Sequence, residues 1–233
     1  MRDALALLTT FGRRGGTLDA RALPWFPVVG ACVGACVGGV WWLAALVWPP
    51  VVAAVVAVIA DLAVTGMLHV DGLADAADGL LVHADGDRRL AIMRSPEVGA
   101  FGVATVAAVL LARMSALDTL PPDVALVAVL AGTTRALVAA VPAWMPSARP
   151  SGMAASFVEG APRWPCVGIV VAGALAAVTD GVRGVAAVVV ATAAGVAVLV
   201  LARRRVGGFT GDVLGAAIYV GEAVGLLAAA ARR

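Results

Sequence analysis

Long apolar runs without period-two alternation recur along the whole chain, near residues 28–48, 51–68, 98–117, 124–144, 185–202 and 212–230. Each approaches the roughly 20 residues that a helix needs to cross a hydrocarbon core about 30 Å thick. A seventh run over 164–179 is shorter, yet it holds "VGIVVAGALAAV", which has no place in water. Strands of a membrane barrel would alternate apolar and polar positions, so these continuous runs predict helices. The expected fold class is all-α, a polytopic membrane helix bundle of about seven transmembrane helices, or six if the short run does not cross.

Composition agrees with that pattern. Hydrophobic residues make up 62% of the 233 and charged residues only 14%, with mean hydropathy +0.98; a soluble surface of this size needs far more charge. The whole of 1–233 reads as a single integral membrane domain. Residues 1–26 carry four arginines and no apolar run long enough for a cleaved signal peptide. Ala4, Leu7, Leu8 and Phe11 fall at helical spacing ahead of Arg13 and Arg14, which predicts a short N-terminal helix in the membrane interface. Cys32, Cys36 and Cys166 lie in or beside apolar helices without zinc-like spacing and read as small core residues.

The chain has no lysine, so arginine alone carries the topology signal. With seven spans, Arg2, Arg13, Arg14, Arg21, Arg88, Arg89, Arg94, Arg149, Arg163, Arg203, Arg204 and Arg205 share the side of the N-terminus, against Arg183, Arg232 and Arg233 opposite. The N-terminus is therefore expected in the cytoplasm, together with the polar connections 69–97, 145–163 and 203–211. The outer connections, "WPP" and "DTLPPD", barely turn the chain. Trp25, Trp144 and Trp164 fall at the inner boundaries and Trp48 at an outer one, as amphipathic rings prefer. Gly30, Gly34 and Gly38 repeat a small-xxx-small step that lets a second helix approach the first span.

Against this background the stretch "TGMLHVDGLADAADG" at 65–79 stands out. Asp71, Asp75 and Asp78 are spaced i, i+4, i+7, so on a helix their carboxylates share one face. Like charges so placed repel unless a cation sits among them, and all-oxygen ligands suit a hard ion such as Mg²⁺. His69 stands at the mouth of the second span as a ligand, a base or a cap, and an EF-hand fits poorly because its loop pattern is absent. Asp61, Arg113, Arg135 and Glu222 lie within spans, where ionisable groups face the bundle interior. Arg135 is expected to pair with Asp61 or to contact a phosphate, and Arg113 to snorkel toward the outer surface. A second polar motif, "GGFTGDVLGAA" at 207–217, offers Thr210 or Asp212 as a helix cap, and the free N–H groups at such a helix start favour phosphate.

Taken together, "TGMLHVDGLADAADGLL", "LAIMRSPEVGAFGV", "GGFTGDVLGAA" and the early "ALPWFPVVGACVGA" resemble the cobalamin synthase family, the adenosylcobinamide-GDP ribazoletransferases of bacterial membranes. The resemblance covers most of the chain in the family's order. Three stretches depart from the family's usual pattern: Arg94, Ser95 and Pro96 stand where Lys-Asp-Ser is common, Ala76 where Thr is usual, and "LTTFGRRGG" where an Arg-Leu-Pro stretch is usual near the N-terminus. The resemblance implies a Mg²⁺-dependent transferase in the bacterial inner membrane, active on the cytoplasmic side. It would join α-ribazole, or its 5′-phosphate, to adenosylcobinamide-GDP with release of GMP, the last assembly step of vitamin B12. Asp71, Asp75 and Asp78 would hold the metal, with Asp78, Asp75 or His69 as the base and Asp78 favoured. Arg94, Arg135, Thr210, Gly211 and Asp212 would contact phosphate or substrate. The catalytic segment would be 69–97, the lipid bilayer the surroundings, nucleic acid no partner, and self-association is left open. The acidic row also resembles, more loosely, that of the CDP-alcohol phosphotransferases. A cation-coupled transporter is the alternative of a different class, disfavoured because its site would lie near the bilayer midplane.

Overall fold

The computed structural model describes residues 1–11, 20–150, 155–158, 161 and 167–231. Arg13, Arg14, Arg163, Trp164, Cys166, Arg232 and Arg233 lie outside the described residues. The elements are α1 (Arg2–Leu8), α2 (Phe26–Ala45), α3 (Pro50–Thr65), α4 (Leu68–Leu81), α5 (Gly86–Ile92), α6 (Ala100–Thr119), α7 (Val124–Ala140), α8 (Val167–Val206) and α9 (Gly211–Ala230), with short 3₁₀ turns between some of them. The protein is an all-α bundle, as the continuous apolar runs require.

Five helices are long and apolar enough to cross a membrane, and a sixth crossing follows if α3 and α4, bent by 90° at their junction, form one broken span. That bend has a local cause. Gly66 and Met67 both adopt left-handed backbone with φ near +60°, so the chain leaves the α3 axis within two residues. Thr10 reaches over from the N-terminal segment and donates its N–H to the Val64 carbonyl at 2.9 Å, satisfying a helix end that the turn leaves open.

The shortest expected span differs from expectation in an informative way. It is not separate from the next one: α8 is a single run of 40 residues, broken at Gly181 with φ +57° and ψ −138°. Ile169 and Gly173 of the first arm share a cleft with Val188, Thr192 and Val196 of the second, so the arms run antiparallel. By length and composition the described residues thus offer five crossings, or the expected six if α3 and α4 form one span.

α7 and α9 are the most enclosed helices. The expected close approach of the first span is realised between α2 and α7. An added Cβ on Gly34 would lie 2.5 Å from the Val127 carbonyl, and one on Gly38 would lie 2.9 Å from the Val124 Cα, so side chains there would force the helices apart. Cys32 and Cys36, expected in the core, lie exposed on the outer face of α2 instead; the glycine stripe takes the packed face, and the cysteines fall on the other. α1 turns Ala4, Ala6 and Leu8 inward, whereas Phe11, expected on the same face, is exposed.

Candidate active site at the α4–α9 crossing

The acidic stretch folds as predicted into a helix, α4, which lies across one end of the bundle against α6 and α9. Its C-terminus is fastened by Arg89 of α5, whose Nη1 donates to the carbonyls of Gly79 at 3.0 Å and Leu80 at 2.6 Å, while its Nε donates to Ala84. Gly72 is where α9 comes closest: a Cβ there would sit 3.0 Å from the Asp212 carbonyl. Asp212 thereby joins the aspartates of α4.

The three aspartates of the row have different surroundings. Asp71 is exposed and Asp75 half-buried. Burial, together with the negative charges of Asp212, Asp71 and Asp78, pushes the Asp75 carboxyl up to about 6, against a smaller opposing pull from Arg149. Asp78 is buried and already engaged: its two oxygens accept the backbone N–H groups of Gly99 at 2.7 Å and Gly102 at 2.8 Å. It caps α6 from outside that helix, a position where a carboxylate also complements the helix dipole. The structure thus groups Asp71, Asp75 and Asp212, and gives Asp78 a structural partner in α6.

Thr210 caps α9, its Oγ1 accepting the N–H of Val213 at 3.2 Å. Gly211 is exposed beside it, and Asp212 accepts a hydrogen bond from the Thr210 hydroxyl. Arg149 forms an ion pair with Asp212 at 3.0 Å. It is held there by a small backbone bridge, in which Phe209 donates its N–H to the Pro146 carbonyl and accepts that of Ala148. The sequence marked Arg149 only as one more inside charge, and no local motif distinguishes it from its fellows; the Ser147–Phe209 bridge alone brings it to the acidic cluster. Arg94 is exposed.

Arg135 does not reach this cluster. It is 1% exposed and pairs with Glu222 rather than with Asp61 or a phosphate. Arg113 does not snorkel either. Its guanidinium is buried between Asp61 at 3.1 Å and Glu222 at 2.7 Å, over the ring of Tyr219. The four intramembrane charges therefore cancel in pairs, as burial away from water demands. His69 lies near this network, 2% exposed, and neither ring nitrogen has a hydrogen-bond partner among the described residues.

Among the described residues, no group of three or more His, Cys, Asp or Glu side chains is placed to hold a metal ion. The donors nonetheless fit a hard cation, since Mg²⁺ is usually held by one or two carboxylates plus substrate phosphates and water. Burial first, and then the negative charge of Asp212 and Asp71, raise the Asp75 carboxyl, with Arg149 only partly offsetting them.

Fold and site together define the class: an all-helical, multi-pass membrane protein with a cluster of acids at one end of its bundle. Within that class, the chain belongs to the cobalamin-5-phosphate synthase family, whose model matches residues 1–230. It is 37% identical over 219 residues to an adenosylcobinamide-GDP ribazoletransferase of Bradyrhizobium diazoefficiens, covering 91% of this chain and 84% of the relative. Relatives of the same name from Shigella boydii and Citrobacter koseri are 36% and 35% identical, each covering 90% of this chain and 87% of their own length. No solved structure matches the chain.

Proposed function

We propose that the protein is an adenosylcobinamide-GDP ribazoletransferase, acting on the cytoplasmic face of the bacterial inner membrane. The observation that carries the site assignment is the convergence of Asp71, Asp75 and Asp212 where α4 crosses the start of α9, with Arg149 beside them. Family membership supports the reaction, and twelve arginines on the side of the N-terminus support the cytoplasmic placement.

In the reaction, a secondary ribose hydroxyl of ribazole, which is free in its 5′-phosphate as well, attacks the phosphorus that carries cobinamide. The bond to the leaving GMP breaks, and the hydroxyl proton passes to a base. Asp71 and Asp212 are the carboxylates that would hold Mg²⁺, which when bound supplies positive charge to the diphosphate. Asp75 accepts the proton: burial, the largest cause of its raised pKa, places the carboxyl near the neutral range a general base needs. Arg149 exchanges Asp212 for a phosphate oxygen, a contact its planar fork is built to make. The N-terminus of α9 presents its first N–H groups to the same phosphates.

Incubation of the purified protein with adenosylcobinamide-GDP and ribazole should release GMP in the presence of Mg²⁺. Asp71→Asn and Asp212→Asn should raise the Mg²⁺ concentration needed for half-maximal rate, whereas Asp75→Asn should chiefly lower kcat. Absence of GMP release by the wild-type protein would overturn the assignment.

A further inference from the structure

The acids of α4 ride on a helix that leaves α3 through a 90° bend at left-handed Gly66 and Met67. Its tilt is therefore not inherited from α3 and depends on what holds its far end. The last four carbonyls of a helix lack donors within the helix. In α4 two of them, those of Gly79 and Leu80, accept from Nη1 of Arg89 at 3.0 and 2.6 Å, while Nε of Arg89 donates to the Ala84 carbonyl at 2.9 Å. Arg89 is 4% exposed and pairs with no carboxylate among the described residues. A buried cation is costly unless hydrogen bonds replace its water. The free carbonyls and negative dipole end of α4 supply that replacement. α5, which carries Arg89, is itself firmly placed. Asp85 caps it by accepting the Arg88 N–H at 2.8 Å, and a Cβ on Gly86 would stand 3.5 Å from the Arg205 carbonyl at the end of α8. Buried Met93 closes on α4 at Gly79, where an added Cβ would collide with its side chain and lie 3.0 Å from the Arg89 carbonyl. α5 is thus a bracket between α8 and the last turn of α4, seated on Gly79.

We propose that Arg89 is a positioning residue for the transfer: by gripping the last turn of α4 it holds the Asp75 carboxylate at its place beside Asp71 and Asp212. The inference rests on the transferase reading and adds to it the residue that sets the aim of its base. Leverage makes the effect selective. Asp75 stands eight residues beyond Met67, about 12 Å along the helix, so a tilt of only about 5° at the bend carries it about 1 Å. A misplacement of that size costs about 10²-fold in rate. Asp71 lies half as far from the bend, about 6 Å, and the neighbouring Gly72 rests directly on the Asp212 backbone. Releasing the far end of α4 therefore moves the proton acceptor and leaves the two carboxylates assigned to the cation nearly in place.

The test uses the full-length protein in nanodiscs, with GMP release followed at varied Mg²⁺ and substrate concentrations. Arg89→Ala should lower kcat about 10²-fold. Arg89→Lys should lower it about ten-fold, because an ammonium keeps the charge and loses the planar fork that spans the carbonyls. Gly79→Ala, which pries α5 off the same turn with Arg89 intact, should give the same loss in kcat. In all three, the KM of each substrate and the half-saturating Mg²⁺ concentration should stay within about two-fold of wild type, a split that general loss of structure would not produce. Amide hydrogen exchange should quicken over 75–81 in Arg89→Ala and remain as in the wild type over α9. Should Arg89→Ala fail to fold, Arg89→Lys and Gly79→Ala carry the test. A kcat within about two-fold of wild type in Arg89→Lys and Gly79→Ala, or a Mg²⁺ requirement and KM values that rise in step with the fall in kcat, would overturn the inference. The two readings fail separately. Normal transfer by wild type with kcat unchanged in the variants refutes the positioning role alone, whereas Arg89-dependent exchange over 75–81 without any transfer by wild type refutes the reaction alone.

Discussion

The two aspartates Asp75 and Asp78 stand three residues apart on one helix and have opposite fates. Asp78 spends both oxygens on the N-terminus of α6. Asp78→Ala should therefore lower stability by about 1–3 kcal/mol through loss of a buried cap, seen as a reduced melting temperature. Asp75 is poised near neutrality by burial and by Asp212 and Asp71. As the proton acceptor it must be ionised, so kcat should fall on the acid side, at a pH below about 6 because bound Mg²⁺ offsets the charge of Asp71 and Asp212, and Asp75→Asn should lose about 10²–10⁴-fold in rate together with that acid limb. Stability should move the other way. A carboxyl raised from 3.8 to about 6 by folding is disfavoured as an anion, so its ionisation destabilises the fold progressively between about pH 4 and pH 6 and fully above that. With the cation chelated, Asp75→Asn should gain about 1 kcal/mol at neutral pH, the shift being discounted for a side chain that remains partly exposed. A melting curve in EDTA at pH 7, compared with one at pH 4, checks the sign.

At the scale of elements, backbone conformation and small residues decide how the helices meet. Left-handed Gly66 and Met67 turn α4 across the end of the bundle, which brings the aspartate row over α9 instead of continuing it along α3. The α2–α7 contact depends on glycine. Gly34→Leu would meet the Val127 carbonyl and the Ala128 Cα, and should cost about 2–3 kcal/mol as overpacking, measured by the denaturant midpoint in detergent. Helix existence and the glycine stripe were legible in the linear pattern, because hydrophobic length and small-xxx-small spacing are local properties. The division between Asp75 and Asp78 was not, since the donors that claim Asp78 lie more than twenty residues away on α6. Arg113 and Arg135 were legible as interior charges; which acid each one meets depended on how α3, α6, α7 and α9 are arranged around them.

Across the whole molecule, a neutral set of four charges ties α3, α6, α7 and α9 together beneath the site. Glu222 is its centre, pairing with both arginines. Glu222→Gln should leave a buried positive charge uncompensated and cost about 3–5 kcal/mol, more than Asp61→Asn, which touches one arginine only; paired unfolding measurements on the two variants test that order. The sequence by itself determined that this protein is a multi-pass helical bundle and that three of its acids form a row near a membrane boundary, because a bilayer enforces apolar length and punishes stray charge. Its motifs also carried the family. Only the tertiary structure decided that Asp212 and Arg149 join Asp71 and Asp75, that Asp78 serves α6, and that His69 is buried. Those facts depend on a 90° turn, a two-residue bridge and a helix crossing, contacts between segments far apart in the chain that no local periodicity encodes.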